Sequence, residues 1–242
     1  MNQVFGRTAS STMAARADVR LARTLPFEQR LDHSARSDLV ERGVVRHFRT
    51  GEIAFLQGER AGRVALVIDG VVKMTAASVD GRSTFLGLRH AGDCVGLLEA
   101  MDGEPRTSTV TAIVPTRLRV IRLEEFREVL AHNESARAAA MSVVAERLRS
   151  IVDERLRSSG SSPTRLAACL LQLAAEHGRE HPDGSIAIEI PLTQADLALM
   201  IAASRDSVAK TLVTWRRQRI VATARRHLTI VDVERLLACC AP

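Results

Sequence analysis

Leu192-Thr193-Gln194-Ala195-Asp196-Leu197-Ala198-Leu199-Met200-Ile201-Ala202-Ala203-Ser204-Arg205-Asp206-Ser207-Val208-Ala209-Lys210-Thr211-Leu212 encodes two short helices joined by a tight turn. Thr193 is a good N-cap, and Asp196 three residues on completes a capping-box-like pair. Leu197, Met200 and Ile201 fall on one face. Ala202 and Ala203 separate the two patterns, and Ser204 caps the second helix. Val208, Leu212 and Trp215 form its apolar stripe; Arg205, Asp206, Ala209 and Lys210 lie opposite. This predicts a helix-turn-helix. Its second helix presents a forked donor (Arg205), an acceptor (Asp206) and a flexible cation (Lys210) within about one and a half turns. Arginine can donate twice to guanine in the major groove, and a carboxylate can accept from cytosine.

The surrounding charge agrees. Arg205, Lys210, Arg216, Arg217, Arg219, Arg225 and Arg226 face a single acid, Asp206, over the stretch 205–226. A duplex backbone rewards such a run through counterion release. Across all 242 residues the formal charge is +6, which suits a polyanionic partner. Aromatic residues make up 3% with no Tyr, which disfavours single-strand binding by base stacking. Apolar residues at 46% and charged ones at 26% are ordinary for one or two globular domains. Lys73 and Lys210 are the only lysines; base composition of the gene accounts for that arginine bias better than function does.

Cys94, Cys169, Cys239 and Cys240 form neither a disulfide framework nor a metal pair, so a cytoplasmic location is expected and no metal. No apolar run approaches the roughly 18 residues of a membrane span, so no membrane partner is expected. No Ser/His/Asp set or phosphate-binding loop appears, and no catalytic residue is assigned.

In chain order, residues 1–20 read as a disordered tail, although their Ala, Ser, Thr and Arg content is faintly transit-peptide-like. Leu21–Gly43 reads as short amphipathic helix with Leu25, Leu31, Leu39 and Val40 apolar. From Val44 to Leu123, β-rich runs alternate with glycine turns such as Asp69-Gly70, Asp80-Gly81 and Asp102-Gly103, predicting an antiparallel roll. Glu124–Ala131 is a short helix. Asn133 or Ser135 then caps a long one to about Arg157, on which Met141, Val144, Leu148 and Ile151 form a heptad seam for a partner helix. Ser158-Ser159-Gly160-Ser161-Ser162-Pro163 marks a joint. Thr164–His177 is helical, Gly184–Pro191 a strand, Ile220–Ala222 with His227–Val231 a hairpin, and Val233–Ala238 a last helix. The expected domains are a sensor roll at 21–131, a dimerisation helix at 132–158, a hinge at 159–163 and a DNA-binding domain at 164–237.

These motifs together resemble the CRP/FNR family of bacterial regulators. The resemblance rests on Ala203-Ser204-Arg205-Asp206-Ser207-Val208 and on Gly51-Glu52-Ile53-Ala54-Phe55-Leu56-Gln57-Gly58-Glu59. It rests also on Leu66-Val67-Ile68-Asp69-Gly70-Val71-Val72-Lys73 and Asp102-Gly103-Glu104-Pro105-Arg106-Thr107-Ser108-Thr109-Val110. Asp206 and Ser207 stand where the family usually has Glu and Thr, and Ala202 where it usually has a turn glycine. The resemblance implies an α+β chain: an N-terminal antiparallel β-roll of cyclic-nucleotide-binding type, a long dimerisation helix and a C-terminal winged helix-turn-helix. It implies a homodimer that reads an inverted repeat of double-stranded DNA in the major groove and works with RNA polymerase. DNA-contacting residues would be Thr193, Gln194, Ser204, Arg205, Asp206, Ser207, Lys210, Arg216 and Arg217. The dimer would form through Met141, Val144, Leu148 and Ile151.

The resemblance also places an effector pocket at Gly96, Leu97, Leu98, Arg106, Thr107, Ile151 and Val152. In nucleotide-binding members a Glu holds the ribose, and Arg with Ser or Thr holds the cyclic phosphate, a pairing that suits a guanidinium. Gly96, Arg106 and Thr107 match. Leu97 replaces the Glu, and Ile151 and Val152 replace the polar pair that reads adenine in cAMP-responsive members. A site stripped of hydrogen-bond partners rejects its polar ligand strongly, so the expected effector is not cAMP in the usual mode. Two alternatives stand beside this: a cyclic-nucleotide-responsive regulator that uses Arg106 and Thr107, and an effector-binding module that regulates a protein partner. Arg106 can equally be structural, paired with Glu99 or Glu104.

Overall fold

A computed structural model describes residues 25–78, 81, 83–157, 160–224 and 227–240, with side chains apart from those of 153–157. The expected tail at 1–20, and Arg225 and Arg226, lie outside the described residues. The chain divides into two compact units, one at Leu25–Arg157 and one beginning at Ser158.

The first unit opens with a 3-10 turn, Phe27–Arg30, followed by helix α1, His33–Arg42. The short helix expected over 21–43 therefore occupies only the second half of that span. Pro26 precedes the turn in an extended conformation, and Asp32 restarts the helix by accepting from the Ala35 amide. Leu31 and Leu39 are buried, whereas Leu25 and Val40 are exposed.

Eight strands then form two antiparallel sheets: β1 (Val44–Phe48), β2 (Ile53–Phe55), β3 (Arg63–Asp69), β4 (Val72–Ala77), β5 (Ser83–Arg89), β6 (Cys94–Val95), β7 (Thr109–Ala112) and β8 (Thr116–Arg122). One sheet has the order β1-β8-β3-β6, the other β2-β7-β4-β5. Side chains alternate across a strand, and β3 uses both of its faces. Ala65 and Val67 join Phe55, Val72, Met74, Val95, Val110 and Leu118 between the sheets. Val64 and Leu66 point the other way, to Phe27, Leu39, Cys94, Ile121 and Phe126. A sheet covered on both sides explains why β3 reads as a continuous apolar run.

Helix α2 (Leu97–Asp102) follows β6, and α3 (Leu123–His132) follows β8. Helix α4 (Glu134–Arg157) begins with Asn133 accepting from the Ala136 amide at 3.0 Å. One face of α4 buries Ala136, Ala139 and Ala140 against the roll, with Val143 and Val144 packed at the margin. Arg30 clamps it from the 3-10 turn by a two-pronged pair with Glu146, at 2.9 and 2.7 Å.

In the second unit, α5 (Ser162–His177) starts earlier than the sequence suggested. Ser161 caps it and Pro163 suits a first turn, so the polar joint contributes to the helix. Strands β9 (Gly178–Glu180), β10 (Ile186–Ile188), β11 (Val221–Ala224) and β12 (His227–Ile230) make an antiparallel sheet in the order β11-β12-β10-β9. Strand β9 was not anticipated; all three of its residues are exposed, so it carries no apolar alternation. Helices α6 (Gln194–Met200) and α7 (Arg205–Arg217) lie between β10 and β11, and α8 (Val233–Ala238) ends the unit. No helix among the described residues is long and apolar enough to cross a membrane.

Candidate DNA interface and effector cradle

The helix pair α6–α7 is built by its caps. Thr193 accepts from the Asp196 amide, and Asp196 accepts from the Thr193 amide at 2.9 Å, a complete capping box. Asp196 is buried, so the box is part of the packing and not a surface decoration. At the other end, Ala203 N–H bonds Ala198 C=O and Ala202 N–H bonds Leu199 C=O, the two bonds of a Schellman turn. Ala202 sits at φ 49°, the left-handed position normally given to glycine, where its Cβ costs roughly 1 kcal/mol. Arg165 of α5 braces this turn: its Nε donates to Ile201 O at 2.9 Å and its Nη2 reaches Ala202 O at 3.5 Å. Sequence reasoning missed Arg165, because nothing local marks an arginine on one helix as the clasp of another pair.

Ser204 starts α7 by accepting from the Ser207 amide. Val208, Leu212 and Trp215 are buried; Arg205, Asp206 and Lys210 are exposed. Among the described residues the side chains of Arg205, Asp206 and Lys210 make no hydrogen bond or ion pair. Thr193, Gln194 and Ser204 are exposed at the ends of the two helices, and Ser207 is half-buried. Arg217 is exposed near the end of α7. Arg216 instead reaches 3.3 Å to the Thr223 hydroxyl, tying α7 to strand β11 of the wing.

The other cluster lies in the roll. Gly96, at φ 82°, turns the chain from β6 into α2, and a Cβ there would collide with Arg106 Nη1. Arg106 and Glu99 are 5% and 4% exposed. The Arg106 guanidinium stacks over the Phe55 ring, 4.0 Å from its centroid, and donates to Arg63 O. Its Nη1 faces Glu99 Oε2 at 3.5 Å. Glu99 Oε1 accepts from the Thr107 amide at 3.0 Å and from the Thr107 hydroxyl at 2.8 Å. Burial lowers the Arg106 pKa, and the Glu99 carboxylate works against that. Of the two carboxylates considered for Arg106, Glu99 is therefore its partner and Glu104 is exposed.

Gly96, Arg106 and Thr107 are thus brought together around Glu99, while the Leu97 side chain is fully buried in the core with Phe27, Ile121 and Phe126. Leu98, Ile151 and Val152 are not part of that cluster; they are 41%, 60% and 51% exposed. Glu99 is the cluster's centre and stood in no expected site. Its signal was the spacing: two residues beyond Leu97 on a helix, and eight before Thr107. Nearby, Arg147 of α4 donates to Cys94 O at 3.0 Å. Burial and the Arg147 charge lower Arg89 to about 9, and burial pushes the Cys94 thiol up to about 12.

On α4, Met141, Leu148 and Ile151 are 59%, 63% and 60% exposed, a row of apolar side chains that their own chain leaves uncovered. Val144 is half-buried against its own roll, so it stands at the edge of that row.

A β-roll followed by a long helix and a winged helix-turn-helix defines a sensor-and-reader protein class. Residues 45–133 match the cyclic nucleotide-binding domain family, and residues 164–239 match the Crp-like helix-turn-helix domain family. A CRP-like cAMP-activated global transcriptional regulator of Mycobacterium tuberculosis is 30% identical over 190 residues, spanning 78% of this chain and 84% of that one. The global nitrogen regulator of Synechococcus elongatus is 25% identical over 194 residues, 78% and 86% of the two chains. Among solved structures, the c-di-GMP responsive global regulator CLP of Xanthomonas campestris superposes with a TM-score of 0.71 at 20% identity, covering 82% of this chain and 99% of that one. A CRP-family transcriptional regulator of Thermus thermophilus gives 0.68 at 24%, covering 81% and 96%. The chain belongs to the CRP/FNR family: it is a DNA-binding transcription regulator and not an enzyme.

Proposed function

We propose that the protein is a cytoplasmic homodimer that reads an inverted-repeat operator with Arg205, Asp206 and Lys210, and that it acts on RNA polymerase. The observation that carries this is the uncommitted polar face of α7 opposite a fully packed apolar one. Arg205 stands at the N-terminal end of α7, the end that enters the groove in helix-turn-helix proteins. Gln194, Ser204, Ser207 and Arg217 serve phosphates, which position the protein without reading sequence, while Thr193, whose amide and hydroxyl are held by Asp196, fixes the start of α6 beside them. Arg216 contributes from its place against the wing. A two-fold dimer presents two such helices, so half-site centres lie about 34 Å apart, one turn of duplex.

The partner surface is the row Met141, Leu148 and Ile151, with Val144 at its margin and Val152 beside it. Such a row in a heptad spacing supports helix pairing across a two-fold axis. A charge at Leu148 is desolvated in that seam, so Leu148→Glu should sediment as monomer or aggregate; an unchanged dimer places the seam elsewhere.

The mycobacterial relative is described as cAMP-activated. That property is not carried over, because Leu97 offers no acceptor to a ribose and Glu99 already holds Arg106 and Thr107. Calorimetry should show no saturable cAMP binding at micromolar concentrations. Binding-site selection on random duplexes tests the operator reading: wild type should return an inverted repeat, and an asymmetric or featureless motif rules it out.

A further inference from the structure

We infer that Glu99 is a built-in anion: its carboxylate occupies the cradle of Arg106 and Thr107 in place of a ligand's phosphate, so the sensor roll needs no anionic small molecule to be complete. This rests on the reading that Arg106 and Thr107 are the family's phosphate-holding pair.

The donors converge on one group. Thr107 offers its amide and its hydroxyl to the same oxygen, at 3.0 and 2.8 Å. Arg106 faces the second oxygen at 3.5 Å, long for a hydrogen bond but close for an ion pair. Cation, amide and hydroxyl around a buried anion are the donor set that a phosphate would use. The rest of the cradle is already committed. Arg106 is held by Arg63 O and by the Phe55 ring, and the missing side chain of Gly96 leaves room for its Nη1 and little else. An outside phosphate must therefore displace Glu99, which sits on the same short segment as its partners. Tethering by a short link gives an effective concentration in the millimolar range. A micromolar nucleotide does not compete with that through its phosphate alone, and Leu97 removes the ribose contact that would help it.

The substitution that opens the cradle is Glu99→Gly in the full-length chain. Thermal melts in inorganic phosphate and in acetate, against chloride at equal ionic strength, read the result. Glu99→Gly should be stabilised saturably by phosphate and by acetate, with half-saturation at least about tenfold below any wild-type response, the change expected of one charge-assisted bond. Glu99→Gln keeps the cradle filled and should show no such response. If Glu99→Gly fails to fold in chloride, its refolding yield in phosphate becomes the measurement. Recovery in phosphate supports the inference, and equal failure in both salts overturns it. A folded Glu99→Gly that answers chloride and phosphate alike also overturns it. The two readings fail separately. Saturable micromolar cAMP binding by wild type, lost in Arg106→Ala, sinks both this inference and the effector reading. Absence of cAMP binding together with absence of anion rescue sinks this inference alone.

Discussion

Arg205 with Asp206, and Arg106 with Glu99, are the same two chemistries in opposite states. On α7 the arginine and the acid stand in water, and among the described residues neither side chain has a partner. In the roll the arginine and the acid are buried and face each other, Arg106 also donates to Arg63 O, and Thr107 gives its amide and its hydroxyl to Glu99. A polar group exposed without commitments is available to a partner that the protein does not contain. A polar group buried with its needs met belongs to the structure, since breaking a buried pair leaves an uncompensated charge. The contrast teaches that the same arginine–acid chemistry is set to different uses by its surroundings.

The largest expected effect follows from burial. Arg106→Ala should cost about 3–5 kcal/mol of stability in denaturant melts, because Glu99 is left buried without its cation. Removing both charges should recover part of that loss, since the two side chains act as a pair. Additive losses would break the comparison by showing that the buried charges are independent. Arg205→Ala should do the reverse. Its effect on stability should stay within about 0.5 kcal/mol, while DNA affinity falls by about 1–3 kcal/mol per half-site and one base position relaxes. Arg217→Ala sharpens this by serving as the phosphate control: it should weaken all sites alike and lower the salt slope by roughly one unit.

The turn between the two helices offers a smaller effect. Ala202→Gly should raise stability by up to about 1 kcal/mol, because the left-handed Cβ strain disappears. A loss of stability would mean that the Arg165 clasp depends on the Ala202 methyl group. The smallest effect concerns reactivity. Burial holds the Cys94 thiol at about 12, so at pH 8 it stays protonated and should be the last of the four cysteines to react with a thiol reagent in the folded protein. Mass mapping of time-resolved alkylation gives the order; early modification of Cys94 would show that the roll opens readily.

Local chemistry was enough to read the helix pair from the residues alone. Thr193, Asp196 and Ser204 act on backbone groups three residues away, and Val208, Leu212 and Trp215 repeat with the helix period, so both signals survive in a linear sequence. The roll was legible for the same reason, through glycine turns and short β-rich runs. Strand β9 was not, because an exposed three-residue strand exists only by pairing with β10.

Tertiary structure alone decided three matters. It chose Glu99 over Glu104 for Arg106, since both lie within seven residues and only the path of α2 turns one of them inward. It assigned Val144 to the roll while leaving Met141, Leu148 and Ile151 bare, since a heptad pattern cannot tell which of two faces a neighbour already covers. It also placed Arg165 on the carbonyls of Ile201 and Ala202, 36 and 37 residues away in the chain. Sequence carries what is local and periodic; which side chains meet across long separations, and therefore which charges are satisfied, is settled only by packing.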